Sequence, residues 1–153
     1  MKHLLLVHHS QTGSTAALAQ AVLDGARDEA ISGVELRVAS PLSADAEDLR
    51  WADAVILGTP ENFGYMSGAL KYFFDRIYYP CLDHTQGLPY ALVIKAGNDG
   101  SGALTSVRRI VTGLRWREVQ APVIVSGEVN AAGLAACREL GMAIAAGLEA
   151  GLF

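Results

Sequence analysis

Charge is scarce in this sequence. Only 18% of its 153 residues are Asp, Glu, Lys or Arg, and the net charge is −4. The 12 basic residues form no cluster, which argues against a nucleic-acid partner, because a phosphate backbone needs a basic stripe. Equally, there is no strong acidic field of the kind an electron carrier uses to steer toward a basic partner. Cysteine is scarce too. Cys81 and Cys137 stand far apart with no C-x-x-C, so a disulfide framework is not expected, and free thiols fit a reducing cytoplasm. Long hydrophobic runs are missing near the start, where "LLLV" is too short for a signal peptide or a membrane span. The expectation is a soluble cytoplasmic chain without a membrane partner.

What is present is an apolar, globular composition, 51% hydrophobic, in a length that fits one domain over residues 1–153. Four runs are almost wholly apolar: Leu4–Val7, Ala54–Leu57, Tyr90–Ile94 and Pro122–Val125. Strands buried on both faces of a parallel sheet read this way. A fifth run, Val34–Val38, alternates apolar and polar, as an edge strand does. Helical spacing lies between the runs. Leu18, Val22 and Ala26 fall at steps of four; Leu70, Phe73, Phe74 and Ile77 trace one face; Leu134, Cys137, Gly141, Ile144 and Leu148 trace another. Segments 44–51 and 101–114 also read as helices. Strands alternating with helices predict an α/β fold, a three-layer sandwich with a five-stranded parallel sheet and helices on both faces. With the alternating strand at an edge, the order is 2-1-3-4-5, and the switch point lies between strands one and three.

Three polar, glycine-bearing loops end the strands that meet there. The first, Ser10-Gln11-Thr12-Gly13-Ser14-Thr15, leads into a helix. Helix N-termini carry unpaired N–H groups and partial positive charge, so a hydroxyl-rich turn there suits one terminal phosphate. The loop has no Lys or Arg and one glycine, which matches neither the nucleotide P-loop nor the G-x-G-x-x-G turn. The alternative is that Ser10 or Thr12 merely caps the helix.

The stretch "SQTGSTAALAQAV" resembles the FMN-phosphate loop of the flavodoxin-like superfamily, [ST]-x-T-G-x-[ST]. The stretch "GTPENFGYMSGALKYFFDR", Gly58 to Arg76, is similar to the segment after strand three in NAD(P)H-dependent FMN and quinone reductases. The resemblance implies a flavodoxin-like fold. It implies that Ser10, Thr12, Gly13, Ser14 and Thr15, with the backbone of Gln11, hold the FMN phosphate. Thr59, Pro60, Glu61, Asn62, Phe63 and Gly64 would line the isoalloxazine ring, and Ala96, Gly97, Asn98, Asp99 and Gly100 would close its other edge. Where relatives of the tryptophan-repressor-binding-protein type often carry a longer third loop and an insertion, this chain has the compact "AGNDGSG".

On this likeness the chain is an FMN-dependent oxidoreductase with NAD(P)H as co-substrate and a quinone or similar small molecule as acceptor. A flavodoxin-type electron carrier, or a flavodoxin-like binding domain without redox activity, are the alternatives. No catalytic acid–base residue and no metal site are expected. His8 and His9 point to opposite strand faces, and Cys81 and His84 make only half a metal motif. Asp75 and Arg76 read as a local ion pair. Arg108 and Arg109 are the cations nearest the third loop. The aromatics of "KYFFDRIYYP", taken as exposed, make a homo-oligomer plausible, most simply a two-fold dimer.

Overall fold

Leu4 and Leu6 face one side of the first strand and Leu5 and Val7 the other, and all four are buried. That alternation runs across the sheet and creates two separate cores. The computed structural model describes residues 1–10 and 12–153. In chain order the elements are β1 (Lys2–His8), α1 (Ser14–Ala26), β2 (Val34–Ala39), α2 (Ala46–Trp51), β3 (Ala54–Asn62), β4 (Tyr65–Met66), α3 (Gly68–Cys81), β5 (Pro89–Ala96), α4 (Ser101–Gly113), β6 (Arg117–Glu118), β7 (Val123–Ser126) and α5 (Ala131–Glu149).

The long strands are parallel and run β2-β1-β3-β5, with β6 and then β7 following one another along the outer edge of β5. Counting that edge as one strand gives the expected order 2-1-3-4-5. α1 and α5 cover one face over Leu4, Leu6, Ile56 and Val93, and α2, α3 and α4 cover the other over Leu5, Val7, Leu57 and Leu92. Among the described residues β2 pairs with β1 alone, and its exposure alternates from Val34 to Arg37 before Val38, expected inward, turns out exposed. α1 and α5 cross with no room for side chains. An added Cβ at Gly25 would overlap the Arg138 carbonyl, and one at Gly141 would overlap that of Val22.

Two features depart from the sequence expectation. The fifth strand is interrupted: from Glu118 to Val123 the edge advances five residues while β5 advances three, Tyr90 to Val93. Two residues therefore bulge outward, beside Pro122, which has no N–H to give the ladder. The second departure is a hairpin. β3 continues past Leu57 to Asn62 and turns back into β4, pairing Glu61 with Met66 and Asn62 with Tyr65.

The aromatics of α3 are also not as expected. Phe73 and Phe74 are wholly inside the core, and only Tyr72 and Tyr79 are largely exposed. Asp75 pairs with Lys71 (2.6 Å), and Arg76 instead donates to the Pro41 carbonyl (2.7 Å) and lies over the Tyr72 ring. Neighbouring helical residues diverge by about 100° around the axis, so Asp75 and Arg76 do not meet.

Candidate functional site

β1 and β3 end side by side, and the loops after them face each other across the point where the chain reverses its direction through the sheet. The first loop leads into α1. Its N-cap is Gly13, left-handed at φ 90°, and among the described residues no side chain caps the helix. The Ser10 hydroxyl accepts the Gly13 N–H at 2.8 Å and shapes the turn, while the Thr12 hydroxyl donates to the Ser14 hydroxyl at 3.5 Å. With α1 starting at Ser14, neither hydroxyl bonds an N–H of its first turn, and the Ser10 bond stops at the N-cap residue itself. Leaving the first turn of α1 without a cap costs stability unless something else meets those N–H groups. Thr15 is buried at the start of the helix. Gln11 lies outside the described residues.

Below this loop the floor is made by β1 and β3. A Cβ at Gly58 would stand 3.0 Å from the His8 Cβ and 3.8 Å from Thr15 Cγ2, so the glycine leaves room for His8. The Nδ1 atoms of His8 and His9 are buried, and neither has a hydrogen-bond partner among the described residues. Burial, and secondarily His9, hold the His8 pKa below that of a free imidazole. At neutral pH His8 is therefore uncharged.

The second loop is the hairpin tip. Phe63 and Gly64 both have positive φ, 53° and 69°, as a type I′ turn requires. Asn, Asp or Gly fill such positions in most hairpins. A phenylalanine there strains its backbone and, in this case, leaves its ring fully exposed, at 107% of its reference area. Nothing in the fold packs on that ring.

Behind its tip the hairpin is anchored. Thr59, fully buried, accepts the Ser67 N–H at 3.0 Å and donates to the Pro60 carbonyl at 2.8 Å. The Glu61 carboxylate accepts the Ala103 N–H at 2.9 Å, and the Ser106 hydroxyl accepts the Met66 N–H at 3.1 Å. Gly102 lies so close that a Cβ there would overlap the Gly64 carbonyl. The side chains of Thr59 and Glu61, expected against a ring, are thus committed to fixing the loop. Asn62, Phe63 and Gly64 sit at its tip, and Pro60 ends the run paired with β5, opposite Lys95. Gly102, Ala103 and Ser106 were not singled out from sequence. Their one signal is the small-residue run at the start of α4.

The third loop joins β5 to α4. Ala96 is buried and its carbonyl accepts the Gly127 N–H (2.8 Å), whereas Gly97, Asn98 and Asp99 are exposed. Asp99 accepts both the backbone N–H (3.0 Å) and the hydroxyl (2.8 Å) of Ser101, chiefly the former lowering its pKa. Gly100 is left-handed at φ 74° and packs on Ile124. The three loops converge at one end of the sheet. A separate cavity of about 560 Å³, around Lys2, Arg50, His84 and Arg117, lies at the opposite, amino ends of the strands.

This geometry has known counterparts. Residues 41–132 match the family model described as NADPH-dependent FMN reductase. A flavodoxin of Aquifex aeolicus is 31% identical over 112 residues, covering 73% of this chain and 60% of that protein. An NAD(P)H dehydrogenase (quinone) of Archaeoglobus fulgidus is 33% identical, covering 49% of this chain and 51% of that one. The matches thus span roughly half the length of these curated relatives. Among solved structures, a flavodoxin from the domain Archaea superposes with a TM-score of 0.81 at 20% identity, covering 96% of this chain and 99% of its own. A WrbA-like flavodoxin from Agrobacterium tumefaciens superposes at 0.74 and 21%, covering 95% and 96%. At such identities the structures establish the fold, which is flavodoxin-like. The family model takes in the whole hairpin, its anchors on α4 and the third loop, and on that match the chain belongs to the NADPH-dependent FMN reductase family.

Proposed function

We propose that residues 1–153 act as one FMN-binding domain of an oxidoreductase that takes electrons from NAD(P)H and passes them to a small-molecule acceptor such as a quinone. The observation that carries this reading is the N-terminus of α1, without a side-chain cap among the described residues, behind a hydroxyl-bearing, cation-free turn at the switch point of the sheet. The groups present fit FMN. Unpaired N–H groups and neutral hydroxyls suit a terminal phosphate. The unpartnered Nδ1 atoms of His8 and His9 lie at the end of the strand below, and the exposed Phe63 ring offers an aromatic face to a flat heterocycle.

In this proposal Ser10, Thr12, Gly13, Ser14 and Thr15 hold the phosphate. The ring lies between Thr59–Gly64 and Ala96–Gly100. Bound FMN would supply the redox chemistry, accepting a hydride from the reduced nicotinamide and giving electrons to the acceptor. The chain's work is to bind and orient. Phe63 and Tyr65 keep water from the ring edge, and Glu61 and Ser106 hold the hairpin in place. Solvent supplies protons, so no acid–base pair is required of the protein. The buried free thiols Cys81 and Cys137 fit a reducing cytoplasm. Tyr72 and Tyr79, both exposed on α3, fit a two-fold dimer.

Steady-state kinetics with NADPH or NADH against benzoquinone test the reading. Parallel double-reciprocal lines are expected, because one open slot serves donor and acceptor in turn. The flavodoxin likeness favours a second reading, a one-electron carrier. Protein that turns over neither nicotinamide, yet after photoreduction passes single electrons to cytochrome c, would establish the carrier instead.

A further inference from the structure

Between the hairpin, α3 and α4 lies a cavity of about 550 Å³ that begins at Gly64 and Tyr65 and is lined further out by Lys71, Ser101, Thr105 and Arg109. It continues into a shallower one of about 380 Å³ along Thr105, Arg108, Arg109 and Thr112. Three cations border this groove, and they are not equivalent. Arg108 is held by Glu118 through two hydrogen bonds, from Nε at 3.1 Å and from Nη2 at 2.9 Å. Lys71 is paired with Asp75. Arg109 is exposed and makes no ion pair among the described residues. The nearby carboxylates are turned to other work, Glu61 to the Ala103 N–H and Asp99 to Ser101. A groove that starts at the ring-lining turn thus ends at an unpaired guanidinium flanked by hydroxyls.

We propose that this groove holds the adenosine end of the electron donor, with Arg109 pairing its 2′-phosphate and Lys71 and Thr105 supporting it, so that the chain selects NADPH over NADH. The inference rests on the donor being a nicotinamide dinucleotide. Guanidinium presents paired N–H groups that match a phosphate dianion, and a planar fork is the side chain suited to that contact. The hydroxyls of Ser101 and Thr105 supply neutral donors beside it. The apolar stems of Lys71 and Ile110 and the Tyr65 ring give the adenine a surface to lie on.

The test uses 2′,5′-ADP and 5′-AMP as probes in calorimetric titrations of the protein, with and without FMN, so it does not depend on turnover. We expect 2′,5′-ADP to bind at least about tenfold more tightly than 5′-AMP. Arg109→Ala is expected to weaken 2′,5′-ADP by about ten- to a hundredfold, leaving 5′-AMP and FMN affinities unchanged. Arg109→Lys keeps the charge and is expected to fall between. Equal affinity for the two probes, or no effect of Arg109→Ala, overturns the assignment. Failure to take up FMN would instead overturn the function proposed above, and the titration without FMN would still decide this one.

Discussion

The Glu61 carboxylate accepts a hydrogen bond from the Ala103 backbone N–H at 2.9 Å, across 42 residues of sequence. It joins the exposed hairpin to the first turn of α4. Glu61→Ala leaves that N–H without its anionic acceptor and frees the hairpin. The expected loss is about 1–2 kcal/mol of unfolding free energy. FMN affinity should fall with it, because a loose hairpin must be ordered again on binding. Urea melts and fluorescence titrations check both, and Glu61→Gln, which keeps an acceptor oxygen, should fall between.

Gly102 and Gly64 touch backbone to backbone. Gly102→Ala forces its new methyl into the Gly64 carbonyl, which belongs to the chain itself and cannot rotate away. A destabilisation of about 1–3 kcal/mol is expected from such overpacking. Gly68→Ala is the matched control, since its Cβ would meet nothing within 4 Å. Thermal melting should lower the midpoint for Gly102→Ala alone.

The proposed phosphate loop predicts a ligand difference. In that proposal Thr12→Ala would remove one hydrogen bond to a charged group, about 1.5–3 kcal/mol, or one to two powers of ten in FMN affinity. Riboflavin lacks the phosphate, so it should bind much more weakly and be indifferent to the substitution. Quenching of flavin fluorescence on titration measures both.

Tyr90, Glu118 and Arg108 form a chain of hydrogen bonds that shapes stability at both ends of the pH scale. The Tyr90 hydroxyl donates to Glu118 at 3.0 Å. Hydrogen bonding to Arg108 holds the Glu118 carboxyl below its ordinary 4.5. A carboxyl lowered by folding adds stability above its unfolded value and loses it as pH falls through the folded one. Burial, with Glu118, raises the Tyr90 phenol from 10 to about 12. An acid raised by folding adds stability below its unfolded value, here lost as pH rises from 10 toward about 12. In denaturant melts across pH, Tyr90→Phe should flatten the alkaline fall and Glu118→Gln the acid one.

Much of the architecture is legible in the residues. Apolar runs mark β1, β3 and β5 because both of their faces are covered, and alternation marks β2 because one face is wet. The first loop is legible for a local reason: hydroxyls and one glycine precede a helical period. The hairpin at Glu61–Met66 is not, since its tip carries Phe63 where turn chemistry favours Asn or Gly. The links from Glu61 to Ala103 and from Met66 to Ser106 are tertiary, and no spacing rule announces them. Pro122 disguises the split edge strand as a clean start, because the pairing of β6 lies five residues earlier.

Anaerobic mixing of FMN-loaded protein with NADPH, followed in the flavin's visible absorbance band, tests the central claim most directly. The account predicts bleaching of that band to the two-electron-reduced spectrum, with NADPH saturating at lower concentration than NADH, and return of the colour on adding benzoquinone. A flavin that binds yet keeps its colour with either nicotinamide would contradict it.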